Sequence, residues 1–224
     1  MDFHALSRSP LFSKMSNEEM ESLFVAFKID EVKFKKGEIL AMQDEPVNRL
    51  IILIRGSVKA EMADPSGKVT KVEDIFSPYP IAILFLFGEN NRFPVQATAR
   101  ESTDAIIIPK KSFLQMLSKS ERLLKNYLDL SANYASRLSR KLYYMSFRTI
   151  RQRLAMYILD LSTKSESDTI MLDRSKASLA EYFGVSRPSV EREITNLQKE
   201  GFIQVDKKQI TILRKKELYR MVRG

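Results

Sequence analysis

Between Val32 and Pro109 the apolar residues come in short runs separated by turn-forming clusters: Lys36-Gly37, Asp44-Glu45-Pro46, Arg55-Gly56, Asp64-Pro65-Ser66-Gly67 and Gly88-Glu89-Asn90-Asn91. Runs of that length with such borders predict strands. Arg49 to Val58 is expected to be a buried strand followed by a glycine bend, and Val69 to Ile75 and Val95 to Ile108 add further strands. Together they suffice for a small antiparallel barrel or roll. Ahead of them Met20, Leu23, Phe24 and Phe27 recur at helical spacing, which predicts a short helix over Asn17 to Phe27.

After Pro109 the period becomes helical. Leu124, Leu128, Ser131, Ala135, Leu138, Leu142 and Met145 follow one another at alternating intervals of four and three, a heptad seam. A helix packed on its own domain is one reading of such a stripe. A parallel homodimer is the better one. The stripe is long and narrow, small Ser131 and Ala135 let two backbones approach, and a monomer would expose it to water. Arg137, Arg140 and Lys141 lie beside it. A second helix is expected over Arg148 to Thr163, with Ile150, Leu154, Ile158 and Leu161 on one face, and then a polar loop from Lys164 to Asp168.

Composition sharpens this picture. The 224 residues are 44% hydrophobic, enough for one sizeable core or two modest ones. Lys and Arg number 37 against 28 acids, a net charge of +9, and the excess is uneven. Residues 1–109 hold 13 basic and 16 acidic side chains, residues 110–224 hold 24 and 12. Concentration of positive charge in one module is the footprint of a nucleic-acid partner. Acidic membrane surfaces attract basic segments too, so motifs must choose. There is no cysteine, which excludes disulfides, thiolate zinc sites, thiol nucleophiles and cysteine-held iron–sulfur clusters, and fits a cytoplasmic location. The longest apolar run, Ile81 to Phe87, is far short of the ~20 residues of a membrane helix, and the first eleven residues lack a signal peptide's apolar stretch. No membrane partner is expected. Catalytic chemistry is equally thin. His4 is the single histidine, in a terminus expected to be loose, and Glu18, Glu19 and Glu21 read as a solvated helix start. No enzyme, catalytic residue or metal site is expected.

The strongest motif runs from Ser175 to Leu197. Two helical patterns meet at Gly184, which can take the left-handed conformation that ends the first helix. Leu179, Ala180, Val185, Val190, Ile194 and Leu197 supply the contacts between them. Ser186 is expected as N-cap, and Pro188 is tolerated in a first turn, so the second helix should begin near Arg187. In a helix-turn-helix that start enters the DNA major groove. Arg187 and Arg192 can reach a guanine edge or a phosphate, Ser189 either, and Glu191 can accept from a cytosine amine or pair with a neighbouring Arg. Ser186 and Lys176 complete the expected DNA-binding set. Beyond it, Gly201 to Leu213 reads as a hairpin wing whose tip, Lys207 and Lys208, suits phosphate contact.

In this order of parts, the chain resembles the CRP/FNR superfamily of bacterial transcription regulators over essentially its full length. The segments that carry the likeness are Lys36-Gly37-Glu38, Leu50 to Val58, Pro109-Lys110-Lys111-Ser112-Phe113 and Gly184-Val185-Ser186-Arg187-Pro188-Ser189-Val190-Glu191-Arg192. The resemblance implies an α+β fold. An N-terminal antiparallel β-roll, a jelly roll like those of cyclic-nucleotide-binding domains, would take residues 1–119. A dimerisation helix would take 120–146 and a winged helix-turn-helix 147–224. It further implies a homodimer on inverted-repeat double-stranded DNA, RNA polymerase as a further partner, and a small-molecule signal in the roll.

The departures bear on that signal. Family members that bind cyclic nucleotides hold ribose and phosphate with a Gly-Glu segment and an Arg-Ser pair. Here the pair falls on Phe93-Pro94, and the preceding segment reads Ser77 to Phe85 without a charge. An uncompensated phosphate in an apolar pocket is costly, so cAMP is not expected. The replacement is an apolar surface of Pro78, Ile81, Leu84, Phe85 and Phe93, with Ala82 and Phe87. One reading is a closed core with no ligand. The other is a site for a large apolar cofactor, haem being the candidate. With Glu61 to Lys68, this segment resembles the subgroup controlling the hybrid cluster protein in nitrosative stress, which implies haem and nitric oxide. Many relatives carry Glu or Gln where this chain has Pro188, so an altered operator is expected. The alternative to a sequence-specific regulator is a non-specific basic DNA-binding protein with a ligand-free roll.

Overall fold

A computed structural model describes residues 2–27 and 29–223. The chain divides into two compact units, residues 1–133 and 134–224.

The first unit opens with α1 (Phe3–Ser7), a 3-10 turn (Pro10–Phe12) and α2 (Asn17–Val25). The segment expected to be loose is therefore helical. The Asp2 carboxylate caps α1, and Leu6, Leu11 and Phe12 are buried, while His4 is exposed. At the start of α2, Ser16 and Glu19 form a reciprocal capping box, each side chain accepting from the other's backbone N–H. Met20, Leu23 and Phe24 turn inward from it.

The strands follow as β1 (Asp30–Phe34), β2 (Ile39–Ala41), β3 (Arg49–Arg55), β4 (Ser57–Ala63), β5 (Val69–Phe76), β6 (Pro80–Ile81), β7 (Gln96–Ala99) and β8 (Thr103–Pro109). They form two four-stranded antiparallel sheets ordered β1-β8-β3-β6 and β2-β7-β4-β5. The strand run Arg49 to Val58 breaks at Gly56, whose φ is +86°. A Cβ there would sit 2.6 Å from the Thr103 hydroxyl and 2.8 Å from the Ser102 carbonyl oxygen, so only glycine lets the chain cross from one sheet to the other. The core of the roll includes Leu50, Ile52, Val58, Ile106, Ile108, Phe93 and, from the helix that follows, Phe113, all fully buried.

Two helices follow, α3 (Lys110–Lys119) and the 26-residue α4 (Glu121–Ser146). The division between units falls inside α4. In the first unit Leu123 is buried, and Tyr127 and Leu130 pack on the roll core. The Asn126 amide donates to the carbonyls of Leu11 (3.0 Å) and Ser13 (2.8 Å).

The second unit holds the end of α4, then α5 (Ile150–Ser165), β9 (Thr169–Met171), α6 (Lys176–Phe183), α7 (Arg187–Lys199), β10 (Ile203–Asp206), β11 (Gln209–Ile212) and α8 (Lys215–Arg223). The α5 helix starts two residues later than Arg148, because the Thr149 and Gln152 side chains close a capping box there. Two elements escape the sequence reading. β9 adds a third strand to the wing, in the order β10-β11-β9, directly after the polar loop. α8 packs along α5 through buried Leu218 and half-buried Met221 and Val222.

Candidate nucleic-acid interface

The helix-turn-helix is fixed by caps at both ends of its turn. Ser175 opens α6, its hydroxyl accepting from the Ser178 N–H at 3.1 Å. Gly184 closes it at φ +66°. The Val185 N–H donates to the Ala180 carbonyl (3.0 Å) and the Gly184 N–H to that of Glu181 (3.2 Å), the paired bonds of a Schellman motif. Ser186 is then extended, and α7 begins at Arg187 with Pro188 in its first turn, as the sequence predicts. One detail differs. The Ser186 side chain caps no backbone group; its hydroxyl pairs with that of Ser189 at 2.8 Å.

Beneath this turn Phe183 is fully buried, edge-on to Tyr144 and Tyr157 at 6.0 and 5.9 Å, and Tyr144 also meets Tyr182 at 5.7 Å. The Tyr144 hydroxyl donates to Asp160 and that of Tyr157 to Asp173. Burial first, and these carboxylates second, hold both phenols well above the usual tyrosine range, so they remain neutral donors. Arg153 is a contributor that helical periodicity does not single out. Its guanidinium donates to the carbonyls of Phe147 (3.0 Å) and Phe183 (2.9 Å), joining the end of α4 to the last residue of α6. Both oxygens of Glu200, the residue that ends α7, accept from Arg151, which holds the Glu200 carboxyl below its ordinary range.

The outward side of this scaffold carries the expected DNA-binding set. Arg187 is exposed, and its Nε donates to Glu191 Oε1 at 2.9 Å. Arg192 is exposed and in no ion pair among the described residues. Lys176 is half-buried in the first turn of α6, and Ser189 half-buried behind Arg187. At the wing, Asp206 pairs with Gln209, so Lys207 and Lys208 form a two-residue turn with both side chains exposed. The geometry suits groove entry by the α7 start and phosphate contact by the wing.

The five apolar residues expected around a ligand lie elsewhere, in the roll. Ile81, on β6, and Phe93 belong to the core at 1% and 0% exposure, Pro78 is buried, and Leu84 and Phe85 are half-buried in a 3-10 turn. Contrary to the sequence reading, a charged group stands nearby: Arg49 lies 5.7 Å from the Phe93 ring centre. That guanidinium is already held by Glu45 (2.6 Å), the Leu40 carbonyl (3.1 Å) and Asn48 (3.2 Å). The seam residues Leu124, Leu128, Leu138, Leu142 and Met145 are all exposed, between 38% and 60%. Among the described residues no helix is long and apolar enough to cross a membrane, and no acidic or histidine cluster is placed to hold a metal ion.

Residues 31–120 match the cyclic nucleotide-binding domain and residues 152–221 the Crp-like helix-turn-helix domain. A probable transcriptional regulator of Lacticaseibacillus casei is 25% identical over 211 residues, which cover 93% of this chain and 94% of that protein. Among solved structures, a transcriptional regulator of Thermotoga maritima is 32% identical, covering 57% of this chain and 97% of that one at a TM-score of 0.52. The catabolite activator protein of Thermus thermophilus shares the fold over 96% of this chain and 99% of its own, with 19% identity and a TM-score of 0.56. A β-roll and a capped, winged helix-turn-helix in one chain, each matched by its own family, make this protein a DNA-binding transcriptional regulator of the CRP/FNR family.

Proposed function

We propose that this regulator works as a homodimer, paired through Leu124, Leu128, Ser131, Ala135, Leu138, Leu142 and Met145, and reads an inverted-repeat operator with two copies of α7. The observation that carries this is the uncovered stripe. Five large apolar side chains stay in water along α4, whereas Leu123, Tyr127 and Leu130 pack into the core of the first unit and Tyr144 into that of the second. Apolar surface in water costs about 25 cal/mol per Å², and an identical stripe on a second copy removes it from both at once. The same symmetry doubles the recognition helices, which is what an inverted repeat requires. Within each copy Arg187 and Arg192 address base edges, Ser186 and Ser189 the neighbouring backbone or bases, and Lys176, Lys207 and Lys208 phosphates. RNA polymerase is the further partner that a family of transcription regulators implies.

The effector is read as something other than cAMP. Phe93 is buried where the phosphate-binding pair would stand, and the guanidinium nearest to it is held by Glu45. No haem ligand is singled out by the described residues: His4 is exposed on α1, Met15, Met20 and Met116 are packed into the core, and Tyr79, two residues before Ile81, is exposed. An uncharged effector, or none, accords with such a roll.

The test is sedimentation together with operator binding, the operator being selected from random duplexes. The wild-type chain is expected to be dimeric at micromolar concentration and, at ~0.15 M salt, to bind the selected inverted repeat about a thousandfold or more above scrambled duplex. Leu138→Asp should sediment as a monomer and lose operator affinity. A wild-type monomer that still binds the operator overturns the dimer, and equal binding to scrambled duplex favours the non-specific alternative.

A further inference from the structure

Arg187 and Glu191 stand one turn apart on the outward side of α7, and their contact is specific in its atoms. Glu191 Oε1 accepts from Arg187 Nε at 2.9 Å. The two Nη groups of Arg187 and the second oxygen of Glu191 have no partner among the described residues. Those Nη groups are the pair that meets O6 and N7 of a guanine. Around them the helix is short of other acceptors. Pro188 has no polar side-chain atom, the Ser189 hydroxyl is turned to Ser186 at 2.8 Å, and Glu193 is half-buried and accepts from Asn196 at 3.3 Å. Among the described residues Glu191, half-buried like Glu193, is thus the carboxylate that pairs with an arginine of the first turns.

We infer that Glu191 is a specificity-determining residue, holding Arg187 by Nε so that its Nη edge addresses guanine, and offering its own second oxygen to a cytosine amine beside that guanine. The inference rests on the reading of α7 as the groove-entering helix. Four residues of helix rise about 6 Å, and successive bases are about 3.4 Å apart, so the two contacts fall within two base steps. In the major groove cytosine presents only a donor, its N4 amine, and adenine sets its N6 donor beside the acceptor N7, whereas thymine O4 and guanine O6 and N7 present acceptors that a carboxylate repels. The negative charge therefore filters bases. A merely solvated counter-charge would act differently, weakening binding to every duplex equally by repelling phosphates.

Selection from randomised duplexes with the full chain, followed by titration of single-base operator variants, separates the two. The wild type should require, in each half-site, a cytosine within two steps of a guanine. Arg187→Ala should lose the guanine requirement. Glu191→Ala should lose the cytosine preference by about tenfold or more, blur the guanine preference, and bind scrambled duplex more tightly. Glu191→Gln, whose amide oxygen can still accept from Nε but whose NH2 can donate, should keep the guanine and admit thymine or guanine at the cytosine position. If Glu191→Ala tightens binding to all duplexes by one factor and leaves the base profile unchanged, the inference is wrong while the proposed function stands. If the wild type has no base profile at all, it is the proposed function that fails.

Discussion

In the roll, Phe12, Phe93 and Phe113 are fully buried, and several cations around the sheets are held by acids: Arg49 by Glu45, Lys71 and Arg100 by Asp74, Arg55 by Asp104. The winged-helix unit closes an equally dry core around Tyr144, Tyr157 and Phe183. Yet Arg192, Lys207 and Lys208 are exposed at the α7 start and the wing tip and form no ion pair among the described residues. The same physics of burial builds both cores, so the difference lies in what is left unsatisfied outside. Both regions contain ion pairs, but residues 1–109 hold 13 basic and 16 acidic side chains and residues 110–224 hold 24 and 12, so the second keeps an excess of positive charge for an external anion.

Three sets of substitutions would break or sharpen that contrast. The largest effect is expected from Phe93→Ala in the roll. A fully buried ring replaced by a methyl group should cost ~3–5 kcal/mol, read as a large drop in the denaturant midpoint of the roll. A cost below ~1 kcal/mol would mean that Phe93 borders space for a ligand rather than packed core. Next comes Arg153→Met in the winged-helix unit. It removes two charge-assisted hydrogen bonds and leaves the part-buried carbonyls of Phe147 and Phe183 without this donor, so a destabilisation of ~1.5–3 kcal/mol in all is expected. Operator affinity should fall with it, since the residue before Gly184 sets where α7 begins. Unchanged melting would show those carbonyls to be satisfied by water. The smallest effect belongs to Lys207→Ala and Lys208→Ala. Each should leave folding and base preference alone and reduce the slope of log affinity against log salt by about one for each phosphate no longer neutralised. A changed base preference would place the wing in a groove instead of on the backbone.

Much of the interface is readable from the chain alone. Gly184, Ser186, Arg187 and Pro188 mark the turn and the helix start because caps and turns are made by residues a few positions apart. The heptad spacing of Leu124 to Met145 marks a stripe for the same reason. The two strands of the wing hairpin announce themselves, but β9 does not: three residues, Thr169 to Met171, carry no period and become a strand only by pairing with β11. α8 did leave a signal, the helical spacing of Leu218, Met221 and Val222. The apolar stretch from Pro78 to Phe87, with Phe93, was ambiguous in principle, because an apolar residue lining a pocket and one filling a core are the same residue.

By itself, then, the chain determined its periods, its helix caps and the lopsided charge of its C-terminal half, each a property of neighbours in sequence. Tertiary structure alone decided that Ile81 and Phe93 are packed away, that the stripe on α4 stays uncovered, and that Arg153 reaches carbonyls 6 and 30 residues distant. Those outcomes depend on which remote segments meet and exclude water, and no local pattern encodes that meeting.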